Sequence, residues 1–368
     1  MDQVAELVSQ LVAIDSINPD LVPGGAGEAE VAAFAARWLE AAGLDVAVRE
    51  VAPGRPNVIA RAAGSGGGRD LLLNAHMDVV GVEGMTGPFV PRIEDERLYG
   101  RGGFDMKGGL AAIMLAGARA ARMDLRGDVI VAAVCDEEFA SIGAEAVAGE
   151  VWADAAIVTE PTGLDVCVAH KGFLWLEVET EGVAAHGSRP DLGVDAIAAM
   201  GGVLVGIERL AAALAAGRHH PILGPGSVHA SLIEGGRELS SYPDRCVLRL
   251  ERRTIPGETR ELVEAQIRAL AGKAQVRTTF ERAPFEVDSD VTVVRALRRH
   301  AAAVLGKEPP LVGHAAWMDA AVFSAAGIST VVFGPGGAGA HATEEWVDLA
   351  SVATCADVLE TVARDFCG

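Results

Sequence analysis

The 368-residue chain carries an imidazole and a carboxylate one residue apart in NAHMDVV, residues 74–80. LLL at 71–73 precedes them, so the stretch reads as a buried apolar strand running out into a loop. Side chains alternate across a strand, and His76 and Asp78 therefore point the same way at its mouth. Such a pair suits a metal site, the imidazole binding through one nitrogen while the carboxylate holds the other N–H. Taken alone it reads more often as an ordinary hydrogen-bonded pair.

Four further segments add the same residue types: Asp105 in GRGGFDMKGG, Asp136, Glu137 and Glu138 after DVIVAAV, Glu160 at the end of IVTE, and His341 in GAGAHATEE. Two imidazoles with three or four carboxylates suit two zinc ions joined by one carboxylate. Asp105, isolated on a glycine-punctuated loop, fits the bridge. The adjacent side chains of Glu137 and Glu138 diverge, so one can bind metal while the other faces a shared water and takes its proton.

These residues need a scaffold that gathers strand ends. Apolar residues at Val4, Leu7, Val8, Leu11 and Val12 predict a helix over 2–14, and 27–43 predicts a second. Strands follow at 44–51, 57–62 and 70–75, the last two around a glycine cluster at 64–68 that reads as a hairpin loop. A helix from Gly108, a near-continuous apolar strand at 128–134 and another at 154–161 continue the alternation of an α/β layered domain with a central, mostly parallel sheet. Beyond 171 the order becomes β-α-β-β-α-β, with helices at 192–214 and 256–272: the split βαβ, ferredoxin-like sandwich. The α/β pattern resumes near 285, with helices at 290–305, 317–326 and 345–366. The expected division is residues 1–171 with 285–368 as the metal-binding domain, and 172–284 as an inserted domain. In open α/β sheets functional groups gather beyond the carboxyl ends of the strands, where all five segments lie.

Composition narrows the partners. Half the residues are hydrophobic and the formal net charge is −20, a field that repels phosphate backbones and argues against nucleic acid. Five scattered cysteines without a CxxC predict reduced thiols in a cytoplasmic protein. The start, MDQVAELVSQ, lacks a basic region followed by an apolar one. Charge or glycine is expected to cut the alanine-rich runs short of a membrane span.

The ordered series HMD, GRGGFDMKGG, DEE, TEPT, AHGS, RRTIPGE and a late AH, covering nearly the whole chain, resembles the zinc amidohydrolase family of acetylornithine deacetylase and succinyl-diaminopimelate desuccinylase. Aminoacylases, dipeptidases and glutamate carboxypeptidases belong to it too. The resemblance implies that His76, Asp105 and Glu160 hold one zinc and Asp105, Glu138 and His341 the other, with Co2+ or Mn2+ as substitutes. It implies that Asp78 supports the site, that Glu137 is general base and proton shuttle, and that His186, from the insert, stabilises the tetrahedral oxyanion. Arg253 would grip the substrate carboxylate. The insert would supply a lid and the surface of a homodimer. Glu160 favours amino-acid deacylation over tripeptidase-type relatives, which use Asp there. SINPDLVPGGAGEAE and TEPT look closest to the acetylornithine deacetylase branch, with desuccinylase, dipeptidase and carboxypeptidase activities as alternatives.

Departures from the family pattern fall at Ser240 and Glu344, where relatives often have Asn, and at GVEGMTGPF, which lacks a Trp often found there. They bear on the substrate more than on the chemistry. Read without the resemblance, Asp105 caps the helix after it, the DEE run is a solvated strand end, His186 is a loop residue and Arg253 pairs with Glu251. A metal-free relative that only binds a ligand is the contrasting class, disfavoured because the base and every implied ligand are present.

Overall fold

The computed structural model describes residues 3–368. In chain order the main elements are α1 (Gln3–Val12), α2 (Ala29–Ala41), β1 (Asp45–Ala52), β2 (Arg55–Ala62), β3 (Leu71–His76), α3 (Gly108–Ala120), β4 (Val129–Val134), α4 (Ile142–Glu150), β5 (Ala155–Val158) and β6 (Val166–His170). Then come β7 (Gly172–Glu181), α5 (Ala196–Ala216), β8 (Ser227–Gly235), β9 (Arg245–Thr254), α6 (Arg260–Ala271) and β10 (Gln275–Arg282). The chain closes with α7 (Thr292–Leu305), α8 (Ala320–Ala325), β11 (Ser329–Val332) and α9 (Leu349–Cys367). The first residues of the helix expected over 2–14 lie partly outside the described residues.

The chain divides into two compact units. One comprises Met1–Val168, Val287–Val312 and Met318–Gly368, the other Ala169–Glu286 with Gly313–Trp317. Residues 313–317, expected in the first domain from their place in the chain, cluster with the second unit.

In the first unit the strand order is β1-β2-β4-β3-β5-β11-β6. Parallel pairing is confined to the centre, β4 with β3, β3 with β5 and β5 with β11, and antiparallel strands flank it on both sides. The central strands are buried along their whole length, as their unbroken apolar sequences require. Two groups of helices pack on the sheet. One is α2, α3, α7 and α9, joined by α1, and the other is α4 with α8.

The glycine cluster at 64–68 does not form the expected hairpin, because β4 lies between β2 and β3. Instead the loop runs hard against Arg126 and Gly127. A Cβ at Gly64 would sit 2.4 Å from the Gly127 carbonyl oxygen, and one at Gly68 2.2 Å from its nitrogen. The glycines serve a close approach of two backbones.

The second unit is a four-stranded antiparallel sheet in the order β8-β9-β7-β10 with α5 and α6 packed on it, the split βαβ arrangement. Helix α6 starts later than Pro256 suggested. Its N-cap is Thr259, whose side chain accepts from Leu262 N at 3.3 Å, while Pro256 lies in the preceding turn. Likewise α5 begins after Asp195, which accepts from Ala198 N, and α9 after Asp348, because Trp346–Asp348 pairs as a short strand with Arg97–Tyr99.

Helix α5 corrects one expectation. Its only charges are Glu208 and Arg209, and its 21 residues, with a mean hydropathy of 1.7, are long and apolar enough to cross a membrane by length and composition. Glycine does not interrupt it. Met200, Val203 and Ile207 are buried against the sheet of its own unit, and Ile197 and Val205 are exposed.

Packing at the start of α3 bears on the site. A Cβ at Gly109 would lie 2.2 Å from the carbonyl oxygen of Thr159, the residue before Glu160. Gly109→Ala is expected to push these elements apart and destabilise the protein by about 1–3 kcal/mol, measured by denaturant unfolding.

Candidate metal centre

Four parallel strands, β3, β4, β5 and β11, direct their carboxyl ends to one place in the first unit. His76 ends β3, residues 135–138 follow β4, Glu160 follows β5, and the loop after β11 leads to His341. Asp105 joins them from the tight loop 103–107, whose Asp105–Met106 peptide is cis.

Asp105 lies between the two imidazoles. Its Oδ1 is 3.2 Å from His76 Nε2 and its Oδ2 is 3.3 Å from His341 Nε2. Glu160 Oε1 stands 3.7 Å from His76 Nε2, and Glu138 Oε2 3.2 Å from His341 Nε2. The five expected ligands therefore meet as two triads sharing one carboxylate. Glu137 turns to the other side from Glu138, with Oε2 3.9 Å from His76 Nε2. The ligand atoms of His76, Glu137 and Glu160 lie within 4.8 Å of one another, as do those of His76, Asp105 and Glu138. Asp105 does not cap α3: that helix has Lys107 at its N-cap position and no side-chain capping bond.

The residues fit divalent cations. Glu138 Oε1 is buried without a hydrogen-bond partner among the described residues, and an orphaned carboxylate oxygen beside an imidazole is what a cation satisfies. Burial, then the charge of Asp105, pushes the Glu138 carboxyl up to about 7. Burial, then the neighbouring Glu160, raises Glu137 well above the usual range, and burial raises Glu160 as well. Hydrogen bonds that His341 donates to Asp105 and Glu138 raise it to about 10. Burial opposes the charged form of His76, yet Asp105 and the surrounding carboxylates outweigh it and hold the ring well above its ordinary value. Asp105, hydrogen-bonded by both imidazoles, is held below its own range despite burial.

The support of the centre differs from expectation in one contact. His76 Nδ1 is 2.9 Å from the backbone carbonyl of Asp78 and 3.6 Å from its carboxylate. The carbonyl accepts the ring N–H. The carboxylate instead accepts the backbone N–H groups of Glu137 and Glu138, each at 3.1 Å. A two-residue spacing shows that a pair faces one way, not which oxygen it uses.

Glu345 is a residue that the sequence does not single out. It is buried, and its carboxylate accepts from the N–H groups of Gly102, Phe104 and Asp105 at 3.1, 2.9 and 3.1 Å and from Arg101 at 2.6 Å. It shapes the loop that presents Asp105. The sequence signal was a second Glu after His341, indistinguishable from a solvated acid. A cavity of about 760 Å³ in the same unit is lined by Met85, Tyr99, Thr343, Glu344 and Glu345 among others, so the altered loop and Glu344 share one wall.

His186 and Arg253 belong to the second unit. His186 is exposed, with Nδ1 2.8 Å from Ser188 Oγ. Arg253 makes the ion pair that its neighbour suggested, Nε to Glu251 Oε1 at 2.7 Å, and lies over the Phe173 ring.

An α/β scaffold that brings two histidines and four carboxylates together beyond parallel strand ends has the make-up of a metal-dependent hydrolase. The model of peptidase family M20/M25/M40 matches residues 72–365, and the chain belongs to that family, whose members hydrolyse amide bonds. It is 31% identical to an acetylornithine deacetylase from Myxococcus xanthus over 98% of this chain and 97% of that one. Its fold is that of aminopeptidase PepT from Bacillus cereus (TM-score 0.81, 21% identity, 100% and 98% of the two chains). It also matches the YxeP protein of Bacillus subtilis, a dinuclear metal-binding peptidase of family M20 (TM-score 0.75, 18% identity, 99% and 98%).

Metal binding must displace the protons held by the raised carboxyls and imidazoles. Affinity is therefore expected to rise with pH, most steeply below the Glu138 value of about 7, where the most protons must leave, and more shallowly from there toward that of His341, about 10. Calorimetric titration of the metal-free protein in buffers of different ionisation enthalpy should show net proton release. A pH-independent affinity without release would contradict the assignment.

Proposed function

We propose that the protein hydrolyses the amide bond of an N-acyl amino acid, N-acetylornithine first, at two zinc ions held as His76–Asp105–Glu160 and Asp105–Glu138–His341. The observation that carries this reading is Asp105, with one oxygen toward each imidazole and a second carboxylate beside each ring. Full-length similarity to an acetylornithine deacetylase supports the substrate class. Bound there, the cations supply Lewis acidity and a water of lowered pKa.

The chain's own residues supply the rest. Glu137 accepts a proton from the attacking water on its free carboxylate oxygen and passes it to the departing nitrogen, so that amide and water become carboxylate and amine. Asp78 fixes the backbone of Glu137 and Glu138. We assign His186 to the oxyanion and Arg253, released from Glu251, to the substrate carboxylate.

Glu137→Gln is expected to lower kcat by roughly 10²–10⁴-fold while metal content stays at the wild-type level. Full turnover would remove Glu137 as the base. Assay of acetyl, succinyl and dipeptide substrates with added Zn2+ or Co2+ separates the deacetylase reading from desuccinylase and peptidase. Absence of metal from the purified and reconstituted protein would favour a ligand-binding relative.

We also assign the second unit to a homodimer. Strand β8 is an edge strand exposing Leu232 and Ile233, and α5 exposes Ile197 and Val205, a combination that a second copy covers. Ile233→Lys is expected to shift the sedimentation coefficient from dimer to monomer. The five free cysteines, all buried, support a reducing, cytoplasmic setting.

A further inference from the structure

Behind the ligands lies a second charged layer to which no ligand belongs. Asp78, Asp136, Glu28, Arg55 and Asn18 are each at most 4% exposed. Arg55 forks onto Glu28, Nε to Oε2 at 2.6 Å and Nη2 to Oε1 at 2.7 Å, and Nη2 also reaches Asp136 Oδ1 at 2.9 Å. Its Nη1 pairs with Asp20. Two buried carboxylates and the exposed Asp20 thus surround one guanidinium, and Asp78 is not among those it touches.

Asn18 closes that gap. Its Nδ2 donates to Asp136 Oδ1 at 3.0 Å and to Asp78 Oδ2 at 2.8 Å, placing a neutral donor between two buried anions. Its Oδ1 accepts from Asp20 N at 3.0 Å and Leu21 N at 3.3 Å. Asp78 then holds the backbone N–H groups of both Glu137 and Glu138. Asp136, first of the DEE run, stands at φ 70° with its own N–H on Glu28, so the turn that separates Glu137 from Glu138 is anchored at both ends.

Building on the proposed hydrolase reading, we propose that Asn18 is a positioning residue: clamped through Asp136 by Arg55, it sets the Asp78 carboxylate and thereby aims Glu137 at the water and Glu138 at its metal. An amide suits the place because it donates to both carboxylates without adding charge; an aspartate there would be a further buried anion. The segment carrying Asn18 is docked by other bonds. Ser16 Oγ donates to Met77 O at 2.8 Å, Asn18 N to Val79 O at 2.9 Å, Val79 N to Ser16 O at 3.0 Å and Lys107 Nζ to Ile14 O at 2.7 Å. Loss of the Asn18 side chain therefore leaves the segment in position.

The test compares Asn18→Ala, Asn18→Ser and Asn18→Asp with the wild type in the full chain. Asn18→Ala is expected to lower kcat about 10–100-fold with KM within about threefold, and to weaken Zn2+ binding about tenfold in competition with a chromogenic chelator. Asn18→Asp, nearly the same shape and able to keep the turn at Asp20, should lose at least as much. Asn18→Ser, with one hydroxyl donor, should fall between Ala and wild type, and it is the variant to read if the Ala protein does not fold. A purely structural role would lower the melting temperature and leave chelator competition and kcat of the folded fraction unchanged, overturning the proposal. A wild type that binds no zinc refutes the hydrolase reading instead. A zinc-binding wild type matched by all its folded variants refutes only the role of Asn18.

Discussion

Four carboxylates and two imidazoles share the space beyond four strand ends, and like charges so placed cannot all ionise unless positive charge is supplied. Burial and crowding push Glu137, Glu138 and Glu160 upward, and the carboxylates beside them push both histidines upward despite burial. Divalent cations held by these residues would supply the same positive charge, and Glu138 Oε1, partnerless among the described residues, is an oxygen one could satisfy. Removing protons and adding metal are two sides of one equilibrium.

Two carboxylates outside the ligand set do comparable work on the main chain. Glu345 gathers three backbone N–H groups of the loop bearing Asp105, and Asp78 gathers those of Glu137 and Glu138. Both loops leave the regular sheet ladder, so their donors need partners elsewhere. Supplying buried carboxylates as those partners fixes the loops firmly and adds to the negative field at the centre. Backbone satisfaction and metal attraction are here one device.

The second unit shows how apolar surface is distributed when a fold is small and open on one side. A four-stranded sheet covered by two helices buries Met200, Val203 and Ile207 of α5 and leaves the other side of that helix exposed. Edge strand β8 is exposed along almost its whole length. Length and composition alone make α5 resemble a membrane span. Its packing on the sheet of its own unit shows a helix with one buried and one open face.

The candidate ligands were legible in the sequence because residue type limits what can bind a metal and because most of them follow an apolar strand, Asp105 standing instead on a glycine-punctuated loop. His76, Asp105, Glu160 and His341 could be picked out by type and place, the choice of Glu138 over Glu137 as a ligand came from the family resemblance, and the order of strands and helices in each unit followed from periodicity. Which atoms meet was not legible. The Asp78 carbonyl rather than its carboxylate holds His76, Glu345 shapes a loop more than 200 positions earlier in the chain, and Asn18 joins residues 60 and 118 positions away. The glycines at 64–68 face Arg126 and Gly127, not a partner strand. Local sequence determines which residues can do chemistry and which segments become strands. The pairing of distant strands decides which backbone donors are left over and which carboxylates reach them, because hydrogen bonds depend on distances of a few tenths of an ångström that only the folded chain sets.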